Sequence, residues 1–315
     1  MNITRRCGVR ASLWLLMVGG MTAYAATRNG EWTLGETDIT GQVRLSLQSS
    51  QGESGHQFNS SSNWNKTDFK GMDWSTTGKH DVRFSIERAA GVIAGEGFLK
   101  GSQGAGLFTF EPDKSYSGKM ASLGFTGIDD EKQFAFAIHD VSLSFAREMK
   151  AAGVEGLDAD KLLAFRIFKV DTQFINALRS AGLRTTNADK LVAFRIHGVT
   201  PELVTALRKQ GYTPDADKLI AMRIHGVTPE WMEQLHRASY NHVDLDKLIA
   251  FRIHGVSPEF IEGVQRLGYT HPEPDQLIAM RIHGVSPEYL QKLRTNGMRN
   301  LTIDQAINLR IHNID

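Results

Sequence analysis

Apolar and polar positions repeat with a period of about 29 residues through the C-terminal half of the chain. Near copies of the hexamer Phe-Arg-Ile-His-Gly-Val begin at Phe136, Phe165, Phe194, Met222, Phe251, Met280 and Leu309. The steps between them are 29, 29, 28, 29, 29 and 29 residues. Such a period is typical of repeats that stack on their neighbours, because one unit cannot bury its apolar face alone. The pattern predicts an α-solenoid over residues 131–315.

Each repeat is predicted to contain two short helices. The first begins at a sequence such as Thr228-Pro229-Glu230, in which threonine caps the helix, proline suits its first position and glutamate complements its positive end. The second begins at a cap such as Asp215 and ends at Gly226, which is suited to a left-handed stop. The repeats are therefore predicted to be helix-turn-helix units of about 29 residues.

The N-terminal half, over residues 27–130, has a different period. Val43, Leu45 and Leu47 alternate with polar residues, as a strand with one buried face requires. Later apolar runs are joined by glycine-containing connections that suit hairpins. No helical segment separates the strands, so a parallel sheet is not expected. The predicted fold class is α+β and multidomain, with an antiparallel β-sandwich followed by the α-solenoid.

Composition adds two constraints. The 315 residues are 41% hydrophobic and 23% charged, which is ordinary for globular domains, and a net charge of +1 gives no basic field for nucleic acid. Residues 1–25 have the features of a signal peptide: early arginines, an apolar core and the small-x-small site Ala23-Tyr24-Ala25. We expect export to the periplasm or the extracellular space, with no membrane span after signal removal. The single cysteine, Cys7, lies within that segment.

A long polar stretch from Ser49 to His80 carries Trp64 and Trp74, together with two phenylalanines. One interpretation is a binding loop whose tryptophans stack on a sugar or a peptide. The other is that these aromatic residues anchor the loop to the β domain, and we favour it because large aromatic side chains bury where they can.

One arginine recurs at the same position of every repeat from the second onward. These residues are Arg166, Arg195, Arg223, Arg252, Arg281 and Arg310. Each shares a helix face with core residues, so its guanidinium is expected to find a carboxylate. The candidate partners are the recurring glutamates at the helix starts or the recurring aspartates. An ion-pair ladder between repeats is the favoured interpretation, and a basic groove for an anionic ligand is the alternative.

A histidine follows two residues after the arginine position. The series is His139, His197, His225, His254, His283 and His312. Equivalent positions in adjacent repeats are separated by a helix-packing distance of roughly 8 to 10 Å. The ligands of one zinc ion, by contrast, must all lie about 2 Å from it. We therefore predict a structural role at helix ends, with no metal site.

Motifs for catalysis are missing from the sequence. There is no HExxH, GxSxG or P-loop motif, and the spacing of Gly95, Gly97 and Gly101 between strands does not fit a phosphate loop. Glu96 and other carboxylates fall on predicted strands, but nothing pairs them at a glycosidase separation. We expect no enzyme activity and no cofactor, with a hydrolase as a distant alternative.

The segment FSIERAAGVIAGEGFLKGSQGAGLFTFEPD, followed by repeats such as LIAMRIHGVTPE, resembles the extracytoplasmic regions of some bacterial membrane metallopeptidases of the β-lactam-sensor type and of secreted relatives. The peptidase motif of that family is absent here. The resemblance implies a non-catalytic sensory or interaction module. We expect a protein partner in the cell envelope, for which a membrane metallopeptidase or sensor is one candidate. A glycan-binding or adhesin-like protein is the alternative.

Overall fold

A computed structural model of the chain describes residues 28–51 and 56–314. The predicted signal peptide and Cys7 lie outside these residues. The described chain divides into two compact units. The first contains the strands, up to Ile86 and then Ile93–Pro112, and the second contains Glu87–Val92 and everything after Pro112. This division falls earlier than residue 130, because the short helix α1 that follows the last strand belongs to the second unit.

The first unit is an antiparallel β-sheet of six strands. They are β1 (Arg28–Gly35), β2 (Gln42–Gln51), β3 (His56–Asn65), β4 (His80–Arg88), β5 (Gly91–Lys100) and β6 (Gln103–Pro112). Their order is β3-β2-β1-β6-β5-β4, so the first and last strands pair at the centre. The antiparallel class is confirmed. The sandwich is not confirmed, since the described strands form one sheet and a sandwich requires two.

Glycines on β5 and β6 make room for two large aromatic rings. Trp32 on β1 and Phe84 on β4 have ring centroids 5.3 Å apart, although two strands lie between β1 and β4 in the sheet. Because neighbouring strands are about 4.8 Å apart, the two rings can meet only by lying across β5 and β6. A Cβ on Gly95 would lie 2.3 Å from the Phe84 ring, and one on Gly97 would lie 2.8 Å from the indole of Trp32. The glycine spacing therefore serves core packing.

The long polar loop predicted between Ser49 and His80 is wrong over its first half. Residues His56–Asn65 form β3, which pairs with β2 along its whole length and lies at the edge of the sheet. The strand carries serines and asparagines where a half-buried strand would alternate apolar side chains. An edge strand can tolerate this because fewer of its side chains need to be buried, and so the period-two signal is lost.

The second unit contains fourteen helices among the described residues. They are α1 (Tyr116–Ser122), α2 (Asp130–Ile138), α3 (Leu143–Ala151), α4 (Ala159–Phe168), α5 (Thr172–Ser180), α6 (Ala188–His197), α7 (Pro201–Lys209), α8 (Ala216–Ile224), α9 (Pro229–Arg237), α10 (Leu245–His254), α11 (Pro258–Arg266), α12 (Pro274–Ile282), α13 (Pro287–Thr295) and α14 (Ile303–Ile311). We call the odd-numbered helices from α3 to α13 first helices, and the even-numbered ones from α4 to α14 second helices.

The predicted caps are confirmed. The Thr228 hydroxyl accepts a hydrogen bond from the amide of Trp231, and the Asp215 carboxylate accepts one from the amide of Lys218. Gly226 has a φ of 70°, in the left-handed region that ends the helix without strain. The first helices also bury the stripe expected for them, as Trp231, Met232 and Leu235 show on α9.

Helices of the same kind pack on one another from repeat to repeat. Second helices contact second helices along the series α4, α6, α8, α10, α12 and α14. Among the first helices, α5 contacts α7, α7 contacts α9 and α11 contacts α13. The second helices are parallel, because side chains at their starts meet and side chains at their ends meet, as described below. None of the helices in the described ranges combines the length and apolar character needed to cross a bilayer.

Candidate functional site

The recurring arginines donate to main-chain carbonyls of the preceding repeat. The Nε groups of Arg166, Arg223, Arg252 and Arg281 lie 2.9, 3.1, 3.2 and 3.3 Å from the carbonyl oxygens of His139, His197, His225 and His254. These carbonyls are left without helical partners at the end of a helix. At these four positions, Nε therefore donates to a main-chain carbonyl, where the sequence predicted a carboxylate. Arg166 differs from the other three because it also donates a hydrogen bond from Nη2 to the carboxylate of Asp140.

Most of these guanidinium groups also lie over an aromatic ring of the preceding first helix. The pairs and the distances to the ring centroids are Arg166 and Phe145 at 5.1 Å, Arg195 and Phe174 at 3.7 Å, Arg252 and Trp231 at 5.2 Å, Arg281 and Phe260 at 5.0 Å, and Arg310 and Tyr289 at 4.9 Å. The ring position in front of Arg223 is occupied by Leu203. Arg166, Arg252 and Arg281 are thus held by a ring face as well as by a main-chain carbonyl.

The difference at Leu203 gives a prediction. Arg252→Gln should lower the free energy of unfolding by about 1 to 2 kcal/mol, because it removes both a hydrogen bond and a contact with Trp231. Arg223→Gln is the matched control. It should cost about 0.5 to 1 kcal/mol less, because no ring is lost there. Urea unfolding of both variants measures the difference, and equal losses would show that the ring contributes nothing.

The recurring aspartates pair with lysines of the preceding repeat. Lys132 Nζ lies 2.8 Å from Asp160 Oδ1, and the same contact joins Lys161 to Asp189. It recurs between Lys190 and Asp217, Lys218 and Asp246, and Lys247 and Asp275. The hydrogen bond that Lys161 donates to the carboxylate of Asp189 raises the pKa of Lys161. These contacts form a ladder at the starts of the second helices, which is where sequence analysis placed candidate partners of the arginines.

The recurring glutamates act at the starts of their own helices. Glu230 is exposed and lies in the first turn of α9. Its own amide and the hydroxyl of Thr228 hydrogen-bond its carboxylate and lower its pKa, and the nearby charge of Arg223 lowers it further. The same kinds of hydrogen bond recur at Glu202, Glu259 and Glu288, so the second set of candidate arginine partners is engaged locally.

The histidine series contributes main-chain atoms. His225 and His254 are exposed, and their carbonyls accept from arginines of the next repeat. His139 is partly buried, and burial followed by the charge of Arg166 lowers its pKa. The expected imidazole contacts to free carbonyls are not recorded among the described residues. In the same part of the chain, no three His, Cys, Asp or Glu side chains are grouped so that they could hold a metal ion.

An isoleucine that follows each arginine is left half exposed. The exposed fractions are 45% for Ile167, 53% for Ile196, 55% for Ile224, 53% for Ile253, 56% for Ile282 and 48% for Ile311. An arginine precedes each isoleucine, and a histidine follows each one except Ile167, which Phe168 follows; all of these residues lie at the ends of parallel second helices. We call this surface the arginine-isoleucine rim. Sequence analysis missed it, because an isoleucine inside a repeated motif is normally assigned to the core.

The two tryptophans proposed as a ligand loop are placed differently. Trp64 is 6% exposed, lies on β3 and donates from Nε1 to Ser62, so it offers no face for a sugar. Trp74 is partly exposed, but it packs edge-on against Phe69, and Lys66 Nζ lies 5.0 Å from its ring centroid. Trp64 is an anchor, and the binding interpretation is corrected for it.

A broad groove of about 940 Å³ lies on the β unit. Its lining includes Glu31, Glu96, Arg83 and Leu107, and Leu107 is 59% exposed. Arg83 Nε lies 3.8 Å from Glu96 Oε2, in an exposed ion pair. Of the carboxylates considered for hydrolysis, Glu96 therefore has a cation beside it. Exposed pairs of this kind contribute little to stability.

No protein-family model matches this chain, and no curated protein matches it.

Proposed function

We propose that this chain is an exported, non-catalytic interaction or sensory module that binds a protein partner of the cell envelope through its helical repeats. The observation that carries the proposal is the arginine-isoleucine rim. Its place of action is the periplasm or the extracellular space, as the predicted signal peptide requires. A membrane metallopeptidase or sensor is the candidate partner that the sequence resemblance favours.

The exposed isoleucines support binding because packing does not account for them. The second helices already bury a full stripe, for example Leu248 and Phe251 on α10, while Ile253 remains 53% exposed. Single exposed apolar residues are ordinary on protein surfaces, whereas rows of them mark interaction sites. Here the same residue is exposed in six successive second helices. Such a row is suited to an extended partner surface.

We further propose that the repeats stack as an α-solenoid. The support is that two kinds of contact join neighbouring repeats. Lysine pairs with aspartate at the helix starts, and arginine donates a hydrogen bond to a carbonyl at the helix ends. Solenoids expose one residue position of every repeat along a continuous surface, which is how they bind extended partners. Glycan binding has less support, because Trp64 is buried.

A site-specific photo-crosslinker tests the proposal. A benzophenone amino acid at Ile253 should crosslink to a discrete protein in envelope extract. The same group at Glu233, an exposed position on α9, should not. Unlabelled wild-type protein should compete for the crosslink. A competitor carrying Ile224→Ser, Ile253→Ser and Ile282→Ser should not compete. The variant should remain folded, because substitutions at half-exposed positions change the free energy of unfolding by only about 0.5 kcal/mol each.

Equal crosslinking from positions 253 and 233, or equal competition by the serine variant, would contradict binding at the rim. Binding of a glycan by the full chain, with no crosslink from position 253, would favour the alternative function.

A further inference from the structure

The first repeat shows how a carboxylate binds one of the recurring arginines. Asp140 occupies the fifth position of its hexamer, has a φ of 52°, and accepts a hydrogen bond from Arg166 Nη2 at 3.0 Å. Arg166 is held at the same time by the carbonyl of His139 at 2.9 Å. The arginine thus uses Nε for the main chain and Nη2 for a carboxylate, and both acceptors come from the preceding repeat.

Later repeats keep the arginine and lose the carboxylate. Glycine replaces aspartate at the fifth position, as Gly198, Gly226 and Gly255. A Cβ built on these glycines would lie 3.1, 2.8 and 2.9 Å from Nη2 of the arginine that follows each, namely Arg223, Arg252 and Arg281. The same atom that binds Asp140 in the first repeat therefore faces a position from which glycine has removed the side chain. No hydrogen bond from these Nη2 atoms is recorded within the described residues.

We propose that Arg223, Arg252 and Arg281 bind the carboxylates of an acidic, extended segment of a protein partner. This inference rests on the proposed function and names the chemistry of the partner. Each carboxylate accepts a hydrogen bond from Nη2, as the carboxylate of Asp140 does from Arg166. The exposed isoleucines 224, 253 and 282 follow these arginines directly and supply apolar contacts to the side chains between the carboxylates.

The chain itself limits the open row at its start. Arg166 is already paired with Asp140, and the position in front of Arg195 is occupied by Lys169, which would repel Arg195 and attract an anion away from it. Lys169 is in the left-handed region at a φ of 57°, so it stands at the same structural position as the glycines. Arg223, Arg252 and Arg281 therefore form one uninterrupted set on α8, α10 and α12 in which Nη2 faces a glycine. At the next glycine, Gly284, the atom of the following arginine nearest to the Cβ position is Nε of Arg310, at 3.7 Å.

The guanidinium groups are ordered before any ligand binds. Arg252 and Arg281 lie over Trp231 and Phe260, and all three arginines donate Nε to carbonyls. Ordered side chains lose less entropy on binding, so an exposed charge pair gains more affinity than it would on a flexible surface. A polypeptide fits better than a purely anionic polymer, because only a polypeptide supplies both carboxylates and apolar side chains to the rim.

Spacing defines the probe. Neighbouring packed helices are about 8 to 10 Å apart, and three residues of a polyproline II chain advance about 9.3 Å. A partner with one carboxylate in every third residue therefore matches one arginine per repeat. A labelled 15-residue peptide made of five Pro-Ile-Glu units is the probe, and the same peptide with glutamine in place of glutamate is its control. Fluorescence anisotropy with the full chain measures both affinities.

The first repeat also provides the blocking variant. Gly198→Asp, Gly226→Asp and Gly255→Asp, made together, give each open arginine its own internal carboxylate. The matched control places asparagine at the same three positions, with the same backbone conformation and no charge. We expect the aspartate variant to bind the glutamate peptide ~10- to 100-fold more weakly than the asparagine variant, since three exposed charge pairs are lost. Melting temperatures of both variants establish that they are folded.

The outcomes separate this inference from the proposed function. Equal binding of the glutamate and glutamine peptides, or equal affinities of the aspartate and asparagine variants, would overturn the carboxylate row, while crosslinking from position 253 would still support a protein partner. Tighter binding of polygalacturonate than of the glutamate peptide, with the same loss in the aspartate variant, would overturn the assignment to a polypeptide. Loss of the envelope crosslink in the aspartate variant alone would support the inference.

Discussion

Gly97→Ala is expected to unfold the β unit at room temperature. A Cβ at this position would lie 2.2 Å from the carbonyl oxygen of Ala105 and 2.7 Å from the Cα of Gly106. Both atoms belong to the main chain of the paired strand and cannot move without breaking the sheet. Overpacking costs about 1 to 3 kcal/mol when side chains can adjust, and we expect more here. A single domain is stable by only about 5 to 15 kcal/mol.

Near-ultraviolet circular dichroism follows this change through the fully buried indole of Trp32, which Gly97 also contacts. Gly35→Ala on β1 is the matched control, because a Cβ there meets nothing within 4 Å. It should leave the spectrum and the unfolding midpoint unchanged. If both alanine variants kept the wild-type midpoint, the close approach of β5 and β6 would not be a feature of the protein in solution.

Removal of residues 301–315 is expected to unravel the last repeats of the helical unit. This segment contains α14, which packs on α12 and buries Ile303, Ala306 and Ile307. It also accepts hydrogen bonds at the carbonyls of Leu301 and Ile314 from the hydroxyls of two tyrosines in earlier repeats. Each stacked repeat covers an apolar face of the unit before it. We expect a loss of at least about 3 kcal/mol of local stability.

Hydrogen exchange detects this loss directly. Amides from 278 to 293 should exchange ~100-fold faster in the truncated chain, as a loss of that size requires. Amides of α4 and α6 provide the internal control. Their protection should not change, because ion pairs such as Lys161 with Asp189 join only neighbouring repeats. Unchanged protection in α12 and α13 would mean that α14 does not cover them.

The repeats and their helices could be predicted because the signals are local. A cap such as Thr228 acts on an amide three residues away, and a left-handed glycine such as Gly226 ends the helix at its own position. The 29-residue period needed only the sequence compared with itself. The edge strand β3 could not be predicted, since its polar side chains carry no alternation.

The partners of the charged residues could not be predicted from the same pattern. Arginine, lysine, aspartate and glutamate all recur once per repeat, so every pairing has the same period. The choice depends on which helix ends meet. Because the second helices are parallel, Lys218 at one helix start reaches Asp246 at the next, while Arg252 at a helix end reaches the carbonyl of His225. A carbonyl acceptor leaves no mark in the sequence at all.

The sequence separation of these contacts also sets an order of folding. Lysine-aspartate and arginine-carbonyl contacts join residues 26 to 28 positions apart. Strand β1, by contrast, pairs with β6, the last strand of the sheet along the chain. Short sequence separation favours fast formation of a contact. A sheet whose first and last strands pair with each other forms slowly, because the long segment between them must be ordered first. Each helical repeat can therefore form as soon as its neighbour exists, and the helical unit is expected to mature in the direction of its own chain growth.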